Sequence, residues 1–361
     1  MKGKANPPAH FLTLCLALFM VSGRSLPLHA AEPAPKLQIE YRGQTLQGRV
    51  ALHNARFCWF EQPDGRLDFL TMSEVQHYKI LSPSFSPLSV RQMADQLRQV
   101  AGREREVATS GPYVVVARQG LATPVAQALH QVYRELVVYC GARHLKLSAP
   151  PFPLVATVWE NRQAFDEACQ AEKVPIRATL RGFYSRLSNR VMLYEEAGQA
   201  IDDTVMHEAV HQIAFNCGLH ARTGQTPTWI LEGLATSLES PEMRRSGSGT
   251  TAAERLNRSR LTWFRERQNL RSVGWLRELV ESNKPFQARP LDAYAESWAA
   301  TFYLLERRPI DLRRYLTALE QPDWDQETQS PEERLAMFSH YFGQNLRLLE
   351  REVERDLTAF P

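Results

Sequence analysis

"TVMHEAVHQ", residues 204–212, decides how the rest of the chain is to be understood. Two histidines stand four apart, one helical turn, and a glutamate directly follows the first. Stepping about 100° per residue, Val205, Met206, Ala209, Val210 and Ile213 form one apolar stripe, with His207 and His211 side by side off its centre. Asp202 or Asp203 suits the N-cap of this helix and Gly218 its stop. The spacing lets both imidazoles hold one tetrahedral zinc ion, while Glu208 points away from His207 and can reach a water there. A chance H-E-x-x-H is expected in roughly one of fifty such chains. The competing explanation is a pair of half-exposed surface histidines.

Two histidines leave a zinc site incomplete, and the next helix offers a third donor. "TPTWILEGLATSLE" (226–239) opens on a Thr226 cap with Pro227 at the first helical position. It carries Glu232 among Ile230, Leu231, Leu234, Ala235 and Leu238. A carboxylate on so apolar a helix is expensive to bury without a cation, the alternative being an exposed glutamate. Twenty residues separate His211 from Glu232, enough to end one helix and bring a second back alongside. His220, Trp229 and Trp298 read as packing or loop residues.

Working outward, the 361 residues are 43% hydrophobic and 23% charged, the balance of an ordinary globular protein with room for two or three domains. Residues 1–31 form an export signal: Lys2 and Lys4, the apolar run "FLTLCLALFMV" (11–21), then small residues with cleavage expected after Ala30 or Ala31. The lesser alternative is an uncleaved anchor, although eleven apolar residues are too few for a stable span. Without this segment 40 basic residues face 40 acidic ones, which gives no electrostatic reason to expect nucleic acid or an anionic membrane as a partner. An oxidising compartment permits disulfides among Cys58, Cys140, Cys169 and Cys217, but their spacing selects no pairing and contains no C-x-x-C.

Residues 32–81 read as a small all-β module. Four or five short runs around the turn signal Asp64-Gly65 suggest a barrel or sandwich, of which an SH3-like barrel is one form. "SPSFSPLS" supplies a Ser/Pro linker over 82–88. Beyond it, helices are expected at 89–101, 124–141 and 161–172, strands at 113–118 and 152–159, and a hairpin at 181–196 around Ser188-Asn189. From residue 200 onward the pattern is helical, broken by "SPEMRRSGSGTT" (240–251), a loop too rich in Ser, Gly and Arg to pack.

"HEAVH" followed by "WILEGLA" resembles the gluzincin metallopeptidases, the thermolysin-like clan, whose signature is H-E-x-x-H with a glutamate on a following helix. More narrowly, the chain is similar to a family of secreted bacterial proteins with a peptidase-MA-like core and no established function. There "GFYS…NRV.LY" precedes the histidine helix and "W..EGLA" follows it; the resemblance covers about 110–305. It implies an α+β fold with a zincin-like core over 89–361: a mixed sheet with an antiparallel edge strand, the H-E-x-x-H helix and a helical C-terminal subdomain. It implies one zinc ion per chain on His207, His211 and Glu232, with Glu208 as general base. In that fold an edge strand borders the cleft and pairs with an extended substrate, and "NRVMLYEE" (189–196) stands in that place. Such enzymes add a Tyr or His donor to the oxyanion; in "LDAYAESWAATFYLLE" (291–306) Tyr294, nearer the helix start, is preferred to Tyr303. A metzincin fits less well, because Ala214 and Cys217 occupy the positions of its Gly and third His. The expectation is an exported zinc metallopeptidase acting on peptides or proteins. The alternatives are a non-catalytic binding protein on a zincin core and a zinc hydrolase of a non-peptide amide.

Overall fold

The computed structural model describes residues 34–178, 180–195, 203–240, 242–243, 251–320 and 329–360. The signal segment 1–31, its cleavage site, Asp202 and most of the 240–251 loop lie outside the described residues. The chain is a mixed α+β structure with two five-stranded sheets and, among the described residues, twelve α-helices. No described helix is long and apolar enough to cross a membrane.

The first sheet is wholly antiparallel: β1 (Lys36–Tyr41), β2 (Gln44–His53), β3 (Phe57–Glu61), β4 (Leu67–Thr71) and β5 (Val75–Ser82), in the order β4-β3-β2-β1-β5. Arg42 and Gly43, both at positive φ, make the tight turn between β1 and β2. Leu37 and Ile39 on β1 and Cys58 and Phe60 on β3 alternate inward, meeting Leu70, Met72 and Val75 in a small core. The segment after β5 is pinned rather than loose. Phe85 N–H bonds Ala34 O, Leu88 N–H bonds Pro63 O, and the Phe85 ring packs edge-on to Phe152.

The second sheet runs β6 (Arg105–Ser110), β7 (Tyr113–Arg118), β8 (Leu154–Trp159), β10 (Arg190–Tyr194) and β9 (Gly182–Ser185) in that spatial order. The central three strands are parallel and both outer ones antiparallel. Strands β7 and β8 are apolar on both faces because helices cover both. Val114 and Val155 meet α1 (Val90–Val100) through Met93 and Ala94, while Phe183 and Met192 meet α3 (Arg162–Ala171) through Phe165 and Cys169. The opposite face packs on α2 (Ala122–Gly141) and on α4 (Asp203–Asn216), the helix of the two histidines. Ser89 and Asn161 cap α1 and α3 through their side chains, and Gly218 (φ 92°) ends the chain's run through α4.

Two sequence expectations need correction here. The outermost strand beside α4 is β9, not 189–196: β10 lies inside the sheet, parallel to β8. The following helix, α5 (Thr228–Leu238), starts one residue late, with Pro227 rather than Thr226 at the N-cap and no side-chain cap. The remainder is helical: α6 (Arg258–Glu266), α7 (Trp275–Glu281), α8 (Lys284–Ala288), α9 (Pro290–Arg307), α10 (Pro309–Ala318), α11 (Pro331–Phe342) and α12 (Leu346–Thr358). Helices α5 and α9 cross closely at Gly233, where a Cβ would stand 2.6 Å from Ser297 O. All four described cysteines are buried and none is in a disulfide.

Candidate metal centre

Helix α4 presents His207 and His211 to α5 instead of to solvent, leaving their side chains only 15% and 12% exposed. Ala209, Val210 and Ile213 bury the other face of α4 against the sheet, which fixes this rotation. The close crossing at Gly233 seats α5 so that Glu232, 18% exposed, faces both imidazoles. His207 Nε2 lies 3.1 Å from His211 Nε2 and 3.1 Å from Glu232 Oε2, and His211 Nε2 lies 3.6 Å from the same oxygen. Tetrahedral metal bonds of about 2.0–2.1 Å would set donor atoms ~3.3 Å apart. The three donors already form one face of such a tetrahedron.

The donor chemistry fits a cation as well. His207 Nδ1 stands 2.8 Å from Glu239 Oε2, and an ionised carboxylate can only accept, so Nδ1 carries the proton. In the neutral ring Nε2 is then a bare lone pair facing a carboxylate oxygen and a second imidazole nitrogen. That arrangement repels itself unless a cation or an extra proton lies among the three. Burial lowers the His207 pKa, but the Glu232 and Glu239 carboxylates outweigh it and hold the imidazole well above its usual value. Burial likewise pushes Glu232 up, and the two imidazoles reverse this and bring its carboxyl below the usual range. Both groups behave as parts of a site built to share positive charge.

Glu208 takes a different position. Its carboxylate accepts the backbone N–H of Tyr184 on β9, and burial raises its pKa above the ordinary carboxylate range despite the two nearby histidines. Gly182 leaves room for it: a Cβ there would be 3.3 Å from Glu208 Cγ and 2.9 Å from Leu193 Cδ2. Arg181 O accepts from Tyr194 N–H at 2.7 Å across the β9–β10 pair. By antiparallel alternation, Gly182 and Tyr184 therefore turn their N–H and C=O groups away from β10. A cavity of about 580 Å³ opens here, lined by Gly182, His207, Glu208, Glu239, Tyr294 and the first turn of α6.

Tyr294, on the first turns of α9, reaches this cavity near Glu232, burial being the main cause of its raised pKa and the Glu232 charge adding to it. Its ring centroid is 6.4 Å from that of His207. Tyr303 is elsewhere, donating to Glu352 at 3.2 Å. Trp229 and Trp298 are fully buried packing residues. His220 is also buried, beside a smaller pocket of about 240 Å³ against the N-terminal sheet, and burial brings its pKa down to about 3. Sequence reasoning missed Glu239, Asn257 and Arg260. The Asn257 amide donates to Thr236 O at 3.1 Å and Glu239 Oε1 at 3.3 Å, and Arg260 stands 3.8 Å from the same carboxylate oxygen. Glu239 had one legible signal, its place seven residues after Glu232 on the same face of α5.

A family described as "Protein of unknown function (DUF1570)" matches residues 201–322. The matched segment runs from the start of α4 through α10, and so contains every donor and polar neighbour of the centre except those on β9. No curated protein matches the chain.

Proposed function

We propose that the chain is an exported, zinc-dependent hydrolase of the gluzincin type that cuts peptide bonds, with a zincin-like core behind an SH3-like N-terminal module. The observation that carries this reading is the convergence of His207, His211 and Glu232, with donor atoms 3.1–3.6 Å apart, beside a further acidic group, Glu208, that is not one of the donors. Zinc held by these three would supply Lewis acidity toward a carbonyl and acidify a water. The chain's own residues do the rest. Glu239 keeps His207 in the tautomer with Nε2 free and fixes its ring plane. Glu208, raised toward neutrality by burial, takes the proton of the attacking water and delivers it to the leaving nitrogen. The outward N–H and C=O groups of Gly182 orient an extended substrate beside that carboxylate. Tyr294, on the wall of the same cavity, is the hydroxyl that would donate to the developing oxyanion. A binding protein on this scaffold would have no use for a buried, elevated Glu208, which favours the enzyme over the binding alternative.

Two variants of residues 32–361 test the reading, with zinc measured per chain and cleavage followed in a peptide library. Glu208→Gln keeps the three donors and should hold about one zinc per chain while losing hydrolysis. Glu232→Ala should lose zinc and hydrolysis together. A Glu208→Gln protein as active as the parent would sink the mechanism.

A further inference from the structure

The cavity beside the centre carries a charge pattern that hydrolysis itself does not require. One wall is the first turn of α6, where Arg258 and Arg260 stand at the first and third helical positions and no acid is present. The N-terminus of a helix is its positive pole and favours carboxylates, so two guanidinium groups there weaken α6 rather than support it. The one ion pair of this wall among the described residues joins Arg260 to Glu239 at 3.8 Å. Glu239 is also engaged by His207 and Asn257; Glu242 accepts from the Ser240 hydroxyl. Among the described residues Arg258, which is exposed, makes no ion pair. Arg260 has a buried Nε without a hydrogen-bond partner, and its guanidinium lies 5.8 Å from the centre of the Tyr294 ring. Tyr294 in turn lies near Glu232. Both arginines, with Arg181, line the same cavity as His207, Glu208 and Tyr294.

We infer that this wall is a subsite for a substrate carboxylate. On the hydrolase reading, on which this inference rests, the substrates are peptides with an acidic side chain or a free C-terminal carboxylate next to the scissile bond. A guanidinium presents two parallel N–H donors that match the two oxygens of a carboxylate. Both residues line a cavity of about 580 Å³, which has room for a group of that size.

The test measures binding in the zinc-loaded Glu208→Gln chain, which stops turnover. Three peptides of one sequence are compared: amidated and neutral, amidated with one glutamate, and neutral with a free C-terminal carboxylate. One or both anionic peptides should bind roughly 10- to 100-fold more tightly than the neutral one, as expected for a charge-assisted pair. Which of the two gains identifies the source of the carboxylate. The gain should fall below about threefold when Arg258→Gln and Arg260→Gln are combined, both chains being read at saturating zinc. Arg258→Gln alone, at an exposed position, should remove part of it, and Arg258→Lys should restore some. Equal affinities, or a preference that survives the double variant and so belongs to the metal, would overturn the subsite. N-acetylglutamate against the neutral N-acetylglutaminamide, titrated into the metal-free chain, separates the two readings. Arginine-dependent binding without zinc uptake or peptide cleavage would leave the subsite standing and end the hydrolase reading. Zinc uptake and cleavage without charge preference would do the reverse.

Discussion

The most informative perturbation is at Glu239, which no ligand motif announces. Its Oε2 accepts the Nδ1 proton of His207 at 2.8 Å, within the short range of charge-assisted hydrogen bonds, and its side chain is only 9% exposed. Asn257 holds the other oxygen, so the carboxylate is oriented before any metal arrives. Removing such a partner from a metal-binding histidine lowers metal affinity by about 10- to 100-fold, or roughly 1.4–2.8 kcal/mol. A buried hydrogen bond to a charged group, at about 1.5–3 kcal/mol, gives the same range independently.

Glu239→Ala should therefore weaken zinc binding by close to 100-fold, because His207 loses both its orientation and its tautomer preference. Glu239→Gln keeps an oxygen that can accept the Nδ1 proton but loses the charge, so about 10-fold is expected. Competition titration against a zinc-chelating dye at fixed pH gives both constants, and circular dichroism of the metal-free variants confirms that they fold. An affinity for Glu239→Ala within about threefold of the parent would refute the argument that this carboxylate sets the state of His207.

Gly233→Ala should destabilise the chain by about 1–3 kcal/mol in urea unfolding and reduce zinc content, since a Cβ 2.6 Å from Ser297 O must push α5, and Glu232 with it, away from α9. Tyr294→Phe should lower turnover roughly 10²-fold at unchanged zinc content, and equal turnover would remove this hydroxyl from the mechanism. His220 is neutral in the fold, with a pKa near 3 against 6.5 in the unfolded chain. The unfolded state alone takes up this proton as the pH falls, so this contribution to stability is intact above 6.5 and declines from there down to about 3. Between pH 6.5 and 5 the loss is about 2 kcal/mol, and His220→Gln should flatten that part of the urea-derived stability profile by the same amount.

What the sequence disclosed was whatever repeats with the period of a local element. The apolar stripe of α4, the stop at Gly218, the all-apolar β7 and β8 and the hairpin around Ser188-Asn189 were legible because each is set by neighbours within a few positions. Strand β6 was not, because "REVATS" is polar, and only its antiparallel pairing with β7 makes it a strand. The order of β9 and β10 was lost for a different reason. A hairpin specifies that two strands pair, but not which of them continues the sheet, and here β10 does so by running parallel to β8. The helical wheel set His207 and His211 off the centre of the apolar stripe, and the elements folded over them, α5 among them, make them nearly buried. Glu239 and the arginine wall needed the folds of α5 and α6 back onto α4 before their neighbours could be known.

The N-terminal sheet enters this logic through the same hairpin. Asp64 pairs with Arg190 at 3.2 Å, and Leu67 N–H bonds Leu187 O at 2.7 Å, so the β3–β4 loop grips the β9–β10 turn. Gly65 makes the approach possible: at φ 84° it presses on Asn189 and Phe152, where a Cβ would stand 2.9 Å from Asn189 Nδ2. Asn189, itself at φ 59°, exchanges hydrogen bonds with Asn216 on α4 and accepts one from the Tyr184 hydroxyl. Tyr184 is the residue whose backbone N–H meets Glu208. One buried polar chain therefore runs from the loop of the first sheet, through the hairpin turn and the end of the histidine helix, to the carboxylate proposed as the base. Such chains hold a single geometry only when every member is satisfied. The first sheet is thus more than an appendage to the second, because its β3–β4 loop clamps the turn that sets where β9 lies over Glu208.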